Sequence, residues 1–393
     1  MQDSNHKIMN KIYTAITHIK YKEQWLFYFL LNLLFIWKYM SRAPYNPMMG
    51  MAAFLLLCSV SIKAYHLFFK SKERLSKYTI VVLLISAYIL IALLLYLIDP
   101  LTVRVDRWSA TSYFLDGLFR GEYPYGIHTH VCETNYPSPS PLWFYLNIPF
   151  WLMGDVGFQL FFFLFFLILT VYWFTESYTQ TLLFLILLLI SPVYWWEVLV
   201  RSDGFSNDIL IFAIILFFHK RHYSFEQHWL ATSVICGMMA VTRLWAPIAP
   251  AIYLTKSFFR IPHRRKVMVL LIILLVMFFF FAPYIFWDTE NWIFFSRNPY
   301  MSETSTGNGW ILLVMIAIAL LLAFRYKNFN QYCRYTSIFL VLFFTVSLVY
   351  NHVAYNMNIS FFDDADFDIS YISLMLPYCL FLISQYQTDN VRK

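Results

Sequence analysis

The chain has 393 residues, 60% of them hydrophobic and 13% charged, with a mean hydropathy of +0.58, a composition that excludes an ordinary soluble domain of this length. Ten Gly, fifteen Pro and five Cys exclude a collagen-like, a disordered and a disulfide-stapled chain. The formal charge of +7 is read as membrane topology and not as a nucleic-acid partner, because on an apolar chain the placement of Lys and Arg matters more than their sum.

Apolar runs such as Ile80 to Ile98 and Leu182 to Ile190 approach or belong to the ~20 residues that cross a hydrocarbon core, so the expected class is all-α, a polytopic membrane helical bundle. About twelve spans are expected, near 25–40, 51–69, 79–98, 157–175, 181–199, 207–219, 228–241, 244–259, 267–286, 310–325, 335–350 and 371–385. Several are short, which calls for broken or tilted helices. The first two dozen residues are polar, so no cleavable signal peptide is expected there. The chain divides into a basic segment with a two-span hairpin (1–78), a main module (79–385) and a short tail (386–393). Cys58, Cys132, Cys236, Cys333 and Cys379 have no CxxC spacing and are read as packing residues.

Charge sorts the connections into two groups. The termini and the turns at 70–78, 176–180, 219–228, 256–266 and 325–334 hold 20 of the 29 Lys and Arg but six of the 22 acids. The positive-inside bias makes that side cytoplasmic, with both termini there, and leaves an acid-rich extracytoplasmic face.

The longest connection, from Asp99 to about Trp151, lies on that acidic face. Trp108, Tyr113, Phe114, Leu118 and Phe119 recur at helical spacing and predict an amphipathic interfacial helix ended by Gly121. Tyr123 to Gly126 reads as a turn; Pro137, Pro139 and Pro141 predict extended backbone before a short apolar helix from Leu142 to Met153. Asp106, flanked by Arg104 and Arg107, stands where the first of these helices begins. Its carboxylate either caps free N–H groups or acts as a general base toward a hydroxyl at the membrane surface. Further along, Ser202 or Asp203 is a candidate N-cap in the run from Arg201 to Asp208. Arg243, a charge in an apolar stretch, either pairs with Asp203 or Asp208 or clamps a phosphate. Four carboxylates, among them Asp363 and Asp364, crowd the last loop, as a solvated acidic run or as a divalent-cation or acceptor-guiding site. The His128-Thr129-His130-Val131-Cys132-Glu133 run offers zinc-competent groups at unconvincing spacing and is read as a polar loop facing substrate.

The order of these features resembles the integral-membrane glycosyltransferases of the GT-C superfamily, particularly polyprenyl-phosphate-sugar-dependent, mannosyltransferase-like members. The elements that carry the resemblance, over roughly residues 79 to 385, are Asp106-Arg107, Gly121 to Tyr125, Tyr136-Pro137 through Pro141-Leu142, Arg201-Ser202-Asp203, Thr242-Arg243 and Leu374 to Pro377. The resemblance implies a GT-C-like bundle that moves a sugar from a polyprenyl-phosphate donor to a glycan, lipid or protein acceptor at the extracytoplasmic face, as in a bacterial inner membrane. Carried over by position, Asp106 is the base and Arg243 the phosphate ligand. Arg107, Tyr125, Tyr136, Arg201, Asp203, Asp363 and Asp364 are expected to line the substrate site. No cofactor follows from the motifs beyond a divalent cation, for which the metal dependence is left open. Competing readings are a lipid-linked-sugar flippase, which calls for repeated halves with broken helices at matching positions, and a glycan polymerase, which calls for a long arginine-bearing loop between later spans.

Overall fold

The structure, a computed structural model, describes residues 22–42, 44–133, 135–288, 309–354 and 369–389. Among them every regular element is helical. Each stretch read as a span from the sequence folds as a helix or a bent pair of helices: α1 (Lys22–Met40), α2 (Pro47–Phe68), α3 (Glu73–Leu97), α6 (Gln159–Thr175), α7 (Tyr178–Leu189) with α8 (Pro192–Leu199), α9 (Asp203–Lys220), α10 (Trp229–Ala240), α11 (Ile248–Arg260), α12 (His263–Trp287), α13 (Gly309–Arg325), α14 (Phe329–Ala354) and α15 (Leu376–Asp389). Between α3 and α6 lie α4 (Arg107–Arg120) and α5 (Pro141–Leu152).

Helix length supports fewer crossings than the spacing of apolar runs. Among the described residues five helices are long and apolar enough to cross a membrane, and the α7–α8 pair, bent by 63°, makes a sixth. The physical reason is local. The twelve residues of α10 rise only about 18 Å against the ~30 Å of a hydrocarbon core, and α9 carries Asp203, Asp208 and Lys220.

The bend has an identifiable cause. Pro192 has no N–H to give α7 and begins a new helix. The groups freed at the break find partners: Ser191 Oγ donates to Asn32 Oδ1 at 2.6 Å, Val193 N donates to the same oxygen at 3.4 Å, and Trp195 Nε1 donates to the Leu189 carbonyl at 2.6 Å. A broken helix at membrane depth is tolerable only when its backbone groups are satisfied in this way.

The core runs along α6, α7, α9 and α15, where Leu167, Phe184, Phe212 and Leu380 are fully buried. α12 is the opposite case, with Leu275 68% and Phe279 70% exposed. So much apolar surface suits a hydrocarbon solvent and not water.

Polar contacts join the basic turns at one pole. Glu73 accepts from Ser177 Oγ (2.8 Å) and from the Tyr178 amide (2.7 Å), Lys220 pairs with Glu176 (2.7 Å), Arg334 with Glu23 (2.6 Å), and Gln385 Nε2 donates to Gln180 (3.1 Å). The long connection, the α8–α9 turn and the turn before α11 meet at the other, acidic pole.

Candidate functional site at the acidic pole

The 99–155 connection folds close to the sequence reading. α4 is ended by Gly121, whose φ of 75° is the left-handed conformation that costs a residue with a Cβ, and its amide returns to the Leu118 carbonyl at 3.3 Å. A short 3₁₀ turn at Pro124–Gly126 follows, then extended backbone, then α5 with Pro141 in its first turn.

Asp106 is the N-cap residue of α4, yet its side chain makes no capping bond. Its backbone carbonyl accepts the first intrahelical bond, from Ala110 N (2.7 Å), and a second from Ser109 Oγ (3.0 Å). Burial raises the pKa of the carboxyl; Arg107 opposes the rise, Asp203 adds to it and Arg243 opposes it. Residues from three distant stretches therefore stand close enough to act on one carboxyl group.

Arg107 reaches inward. Its Nη1 donates to both oxygens of Glu197 (3.0 and 2.9 Å) and to Ser202 Oγ (2.8 Å), its Nη2 donates to Ser370 Oγ (2.9 Å), and the Tyr371 ring centre is 5.7 Å from its guanidinium carbon. Glu197 is buried in α8, where an unpaired carboxylate is costly. Ser202 also caps α9, accepting from Gly204 N at 3.1 Å. Arg107 thus ties α4 to α8, α9 and the turn before α15.

Arg243 and Asp203 form a buried ion pair, Arg243 lies 5.1 Å from the Trp245 ring centre, and Trp245 Nε1 donates to Asp208 Oδ1 at 3.3 Å. The structural pairing that the sequence left open beside phosphate binding is present. A guanidinium fork can serve two acceptors on different edges, so the two roles are compatible. The turn carrying Arg243 is pinned to the long connection: Ser140 N donates to the Thr242 carbonyl (3.0 Å) and Leu142 N to the Val241 carbonyl (3.1 Å), while within that connection Tyr125 Oη donates to the Pro139 carbonyl (3.2 Å). Among the described residues Asp203 Oδ1 and both amide atoms of Asn207, one turn further along α9, are buried without a protein partner.

Other expected site residues have framework positions. Tyr125 is 1% exposed in an aromatic cluster with Phe114, Phe144 and Tyr284, and burial pushes its hydroxyl pKa well up, so it stays a donor. Arg201, at φ 48°, pairs with Asp155 and donates to the last carbonyls of α3, Leu95 (2.6 Å) and Ile98 (2.8 Å). It passes so close to Gly157 that a Cβ there would meet its Cδ at 3.1 Å. These contacts make Arg201 and Tyr125 parts of the scaffold rather than its lining. Tyr136 is half-buried with its ring 4.7 Å from His128. Both ring nitrogens of His130 are engaged within the protein: its Nδ1 is 2.6 Å from Ser109 Oγ and its Nε2 is 3.0 Å from the Val103 carbonyl, which fastens the loop to α4. Asp363 and Asp364 lie outside the described residues. Among those described, no three of His, Cys, Asp and Glu gather where they could hold a metal ion.

Three positions that hold this pole together escape the motif reading: Glu197, Asp155 and Trp245. Glu197 carried the clearest signal, one carboxylate in the apolar run Pro192 to Val200, where a charge demands a partner. Asp155 accepts from Trp108 Nε1 and the Gly157 amide besides Arg201.

Compared with protein-family models, with curated proteins and with solved structures, the chain finds no match in any of the three. The class that stands among the described residues is all-helical, with five or six helices long and apolar enough to cross a membrane and a polar, charge-paired pole.

Proposed function

We propose that the acidic pole carries out glycosyl transfer from a polyprenyl-phosphate sugar to a hydroxyl acceptor, on the extracytoplasmic side of a membrane. The observation that supports this reading is the Asp106 carboxyl, which stands at a helix start without capping it and lies within electrostatic reach of Asp203 and Arg243. Asp106 takes the proton of the acceptor hydroxyl. The hydroxyl oxygen then forms its bond to the anomeric carbon from the face opposite the phosphate, and the bond from that carbon to the phosphate oxygen breaks, so the configuration inverts. The electron pair leaves on phosphate, where Arg243 meets the charge beside Asp203. A phosphate leaving group needs no general acid, so one carboxylate suffices. The raised pKa of Asp106 suits a base, because it brings the group nearer the working pH. Arg107 positions the start of α4 and, next to Asp106, favours its ionised form.

The test uses purified full-length protein in proteoliposomes supplied with synthetic polyprenyl-phosphate hexoses and candidate acceptors. The expected outcome is transfer by the wild type and a loss of roughly 10²–10⁴-fold in Asp106→Asn at equal expression. Undiminished transfer by Asp106→Asn would overturn the assignment of the base, and translocation of the donor without transfer would favour a flippase.

A further inference from the structure

Arg243 holds one carboxylate oxygen of Asp203, Oδ2, while the other, Oδ1, is buried and has no partner among the described residues. One helical turn further along α9, Asn207 is fully buried, and neither its Oδ1 nor its Nδ2 has a partner. Turning the amide over changes nothing, because both ends lack one. Residues four apart on a helix carry their Cβ atoms about 5–6 Å apart on one face, so these two short side chains border the same space. A buried Asn ordinarily satisfies its amide within the protein, as Asn32 does at the α7–α8 break. Asn207 does not, one turn from the pair that meets the phosphate, and the proposed reaction gives it no task.

The atoms left without partners restrict what can occupy that space. They are two acceptors, Asp203 Oδ1 and Asn207 Oδ1, and the two N–H donors of Asn207 Nδ2. A cation would leave the N–H groups unmet and would approach Arg243. An anion would leave both acceptors unmet and would face the Asp203 carboxylate. A hydroxyl both donates and accepts, so it serves the two kinds at once. Two hydroxyls on adjacent carbons complete the pattern: one donates to Asn207 Oδ1, and its neighbour accepts from Asn207 Nδ2 and donates to Asp203 Oδ1.

We propose that Asp203 Oδ1 and Asn207 bind two adjacent hydroxyls of the transferred hexose, which makes Asn207 a specificity-determining residue of the acidic pole. This rests on the glycosyl-transfer reading and adds a sugar subsite to it, on the α9 side of Arg243. Water held in the fold is the other source of the same chemistry, and the two sources predict different results.

The test measures binding without turnover, by purified full-length protein in nanodiscs, of polyprenyl-phosphate mannose, glucose and galactose, and then of the monodeoxy forms of whichever binds best. Removing either of two adjacent hydroxyls should weaken binding to the wild type about tenfold, and removing the others should do much less. In Asn207→Leu the same two deletions should have little further effect, because residue and hydroxyl are partners in one contact. Without ligand this variant should melt no lower than the wild type, since its amide has no partner to lose. Binding of none of the three hexoses, a monodeoxy series without effect on the wild type, or an Asn207→Leu protein as discriminating as the wild type would each overturn the proposal. A structural water would give the flat series together with a lowered melting temperature in Asn207→Leu. The series on the wild type needs no variant, so it decides the matter even where Asn207→Leu fails to fold. A hexose bound with the expected pattern but never transferred would keep this subsite and remove the proposed reaction, whereas transfer with a flat series would do the reverse.

Discussion

Arg107 and Glu197, ninety residues apart in the chain, meet through two hydrogen bonds of 3.0 and 2.9 Å with Glu197 fully buried in α8. Removing one partner of a buried pair leaves the other charge without compensation, at a cost of about 3–5 kcal/mol. Glu197→Ala is therefore expected to unfold in detergent well below the wild type. Glu197→Gln keeps an acceptor for Arg107 but not the charge, and should fall between the two. Thermal unfolding of the purified variants checks the order; a Glu197→Ala protein as stable as the wild type would remove this pair from the framework.

Asp106 makes a prediction of opposite sign for stability. The fold raises its pKa above the ordinary 3.8, so the folded chain binds the proton more tightly than the unfolded chain. Its ionisation thus opposes folding. The penalty is absent below pH 3.8 and grows as pH rises through the elevated value. Asp106→Asn should lose transfer yet melt higher than the wild type at neutral pH, with the gain shrinking as pH is lowered toward 3.8. Activity of the wild type should fall on the acid side at a pH above 3.8. A neutral-pH melting temperature lowered by the substitution would mean that the ionised carboxylate holds the structure together.

Much of this arrangement is legible in the sequence, and the parts that are not share a cause. Each apolar run becomes a helix because its backbone groups must be satisfied internally, and Gly121, Pro141 and Ser202 end or begin helices for local reasons that one residue discloses. Arg243 and Asp203 pair, and both act electrostatically on Asp106. What the sequence hides is partnership. Arg201 and Arg243 look alike as isolated charges near a span, yet one is taken up by Asp155 and two carbonyls of α3 and the other by Asp203. Helix crossings decide that difference. The count of twelve spans is supported only to five or six for a related reason, since apolar runs are local whereas a crossing depends on whether a bent or short helix is completed by its neighbours.

The Arg243–Asp203 pair separates a structural role from a phosphate-binding one. Arg243→Ala leaves the buried Asp203 carboxylate unpaired and should destabilise the protein by about 3–5 kcal/mol. Combining it with Asp203→Asn removes the orphaned charge and should restore much of that stability, because residues in contact are not additive. Transfer should not return with it, and the donor concentration required for half-maximal rate should stay elevated. If the double variant regained both stability and donor binding, the guanidinium would serve only to neutralise Asp203.

The break between α7 and α8 gives the last prediction. Asn32 on α1 is fully buried; its Oδ1 accepts from Ser191 and Val193, and its Nδ2 donates to the Tyr28 carbonyl at 2.7 Å. Asn32→Leu preserves volume but strands the Ser191 hydroxyl and the Val193 amide in apolar surroundings, where each unsatisfied group costs about 1–3 kcal/mol. The expected result is a lower melting temperature. Ser191→Ala in the same background removes one of the two stranded donors and should recover part of the loss, whereas in the wild type it should be destabilising. The effect should also reach the acidic pole, because α8 carries Glu197 a turn and a half beyond the break: Asn32→Leu is expected to reduce transfer at temperatures where the protein remains folded. A variant that loses stability but transfers sugar at the wild-type rate would mean that α8 keeps Glu197 against Arg107 without help from the break.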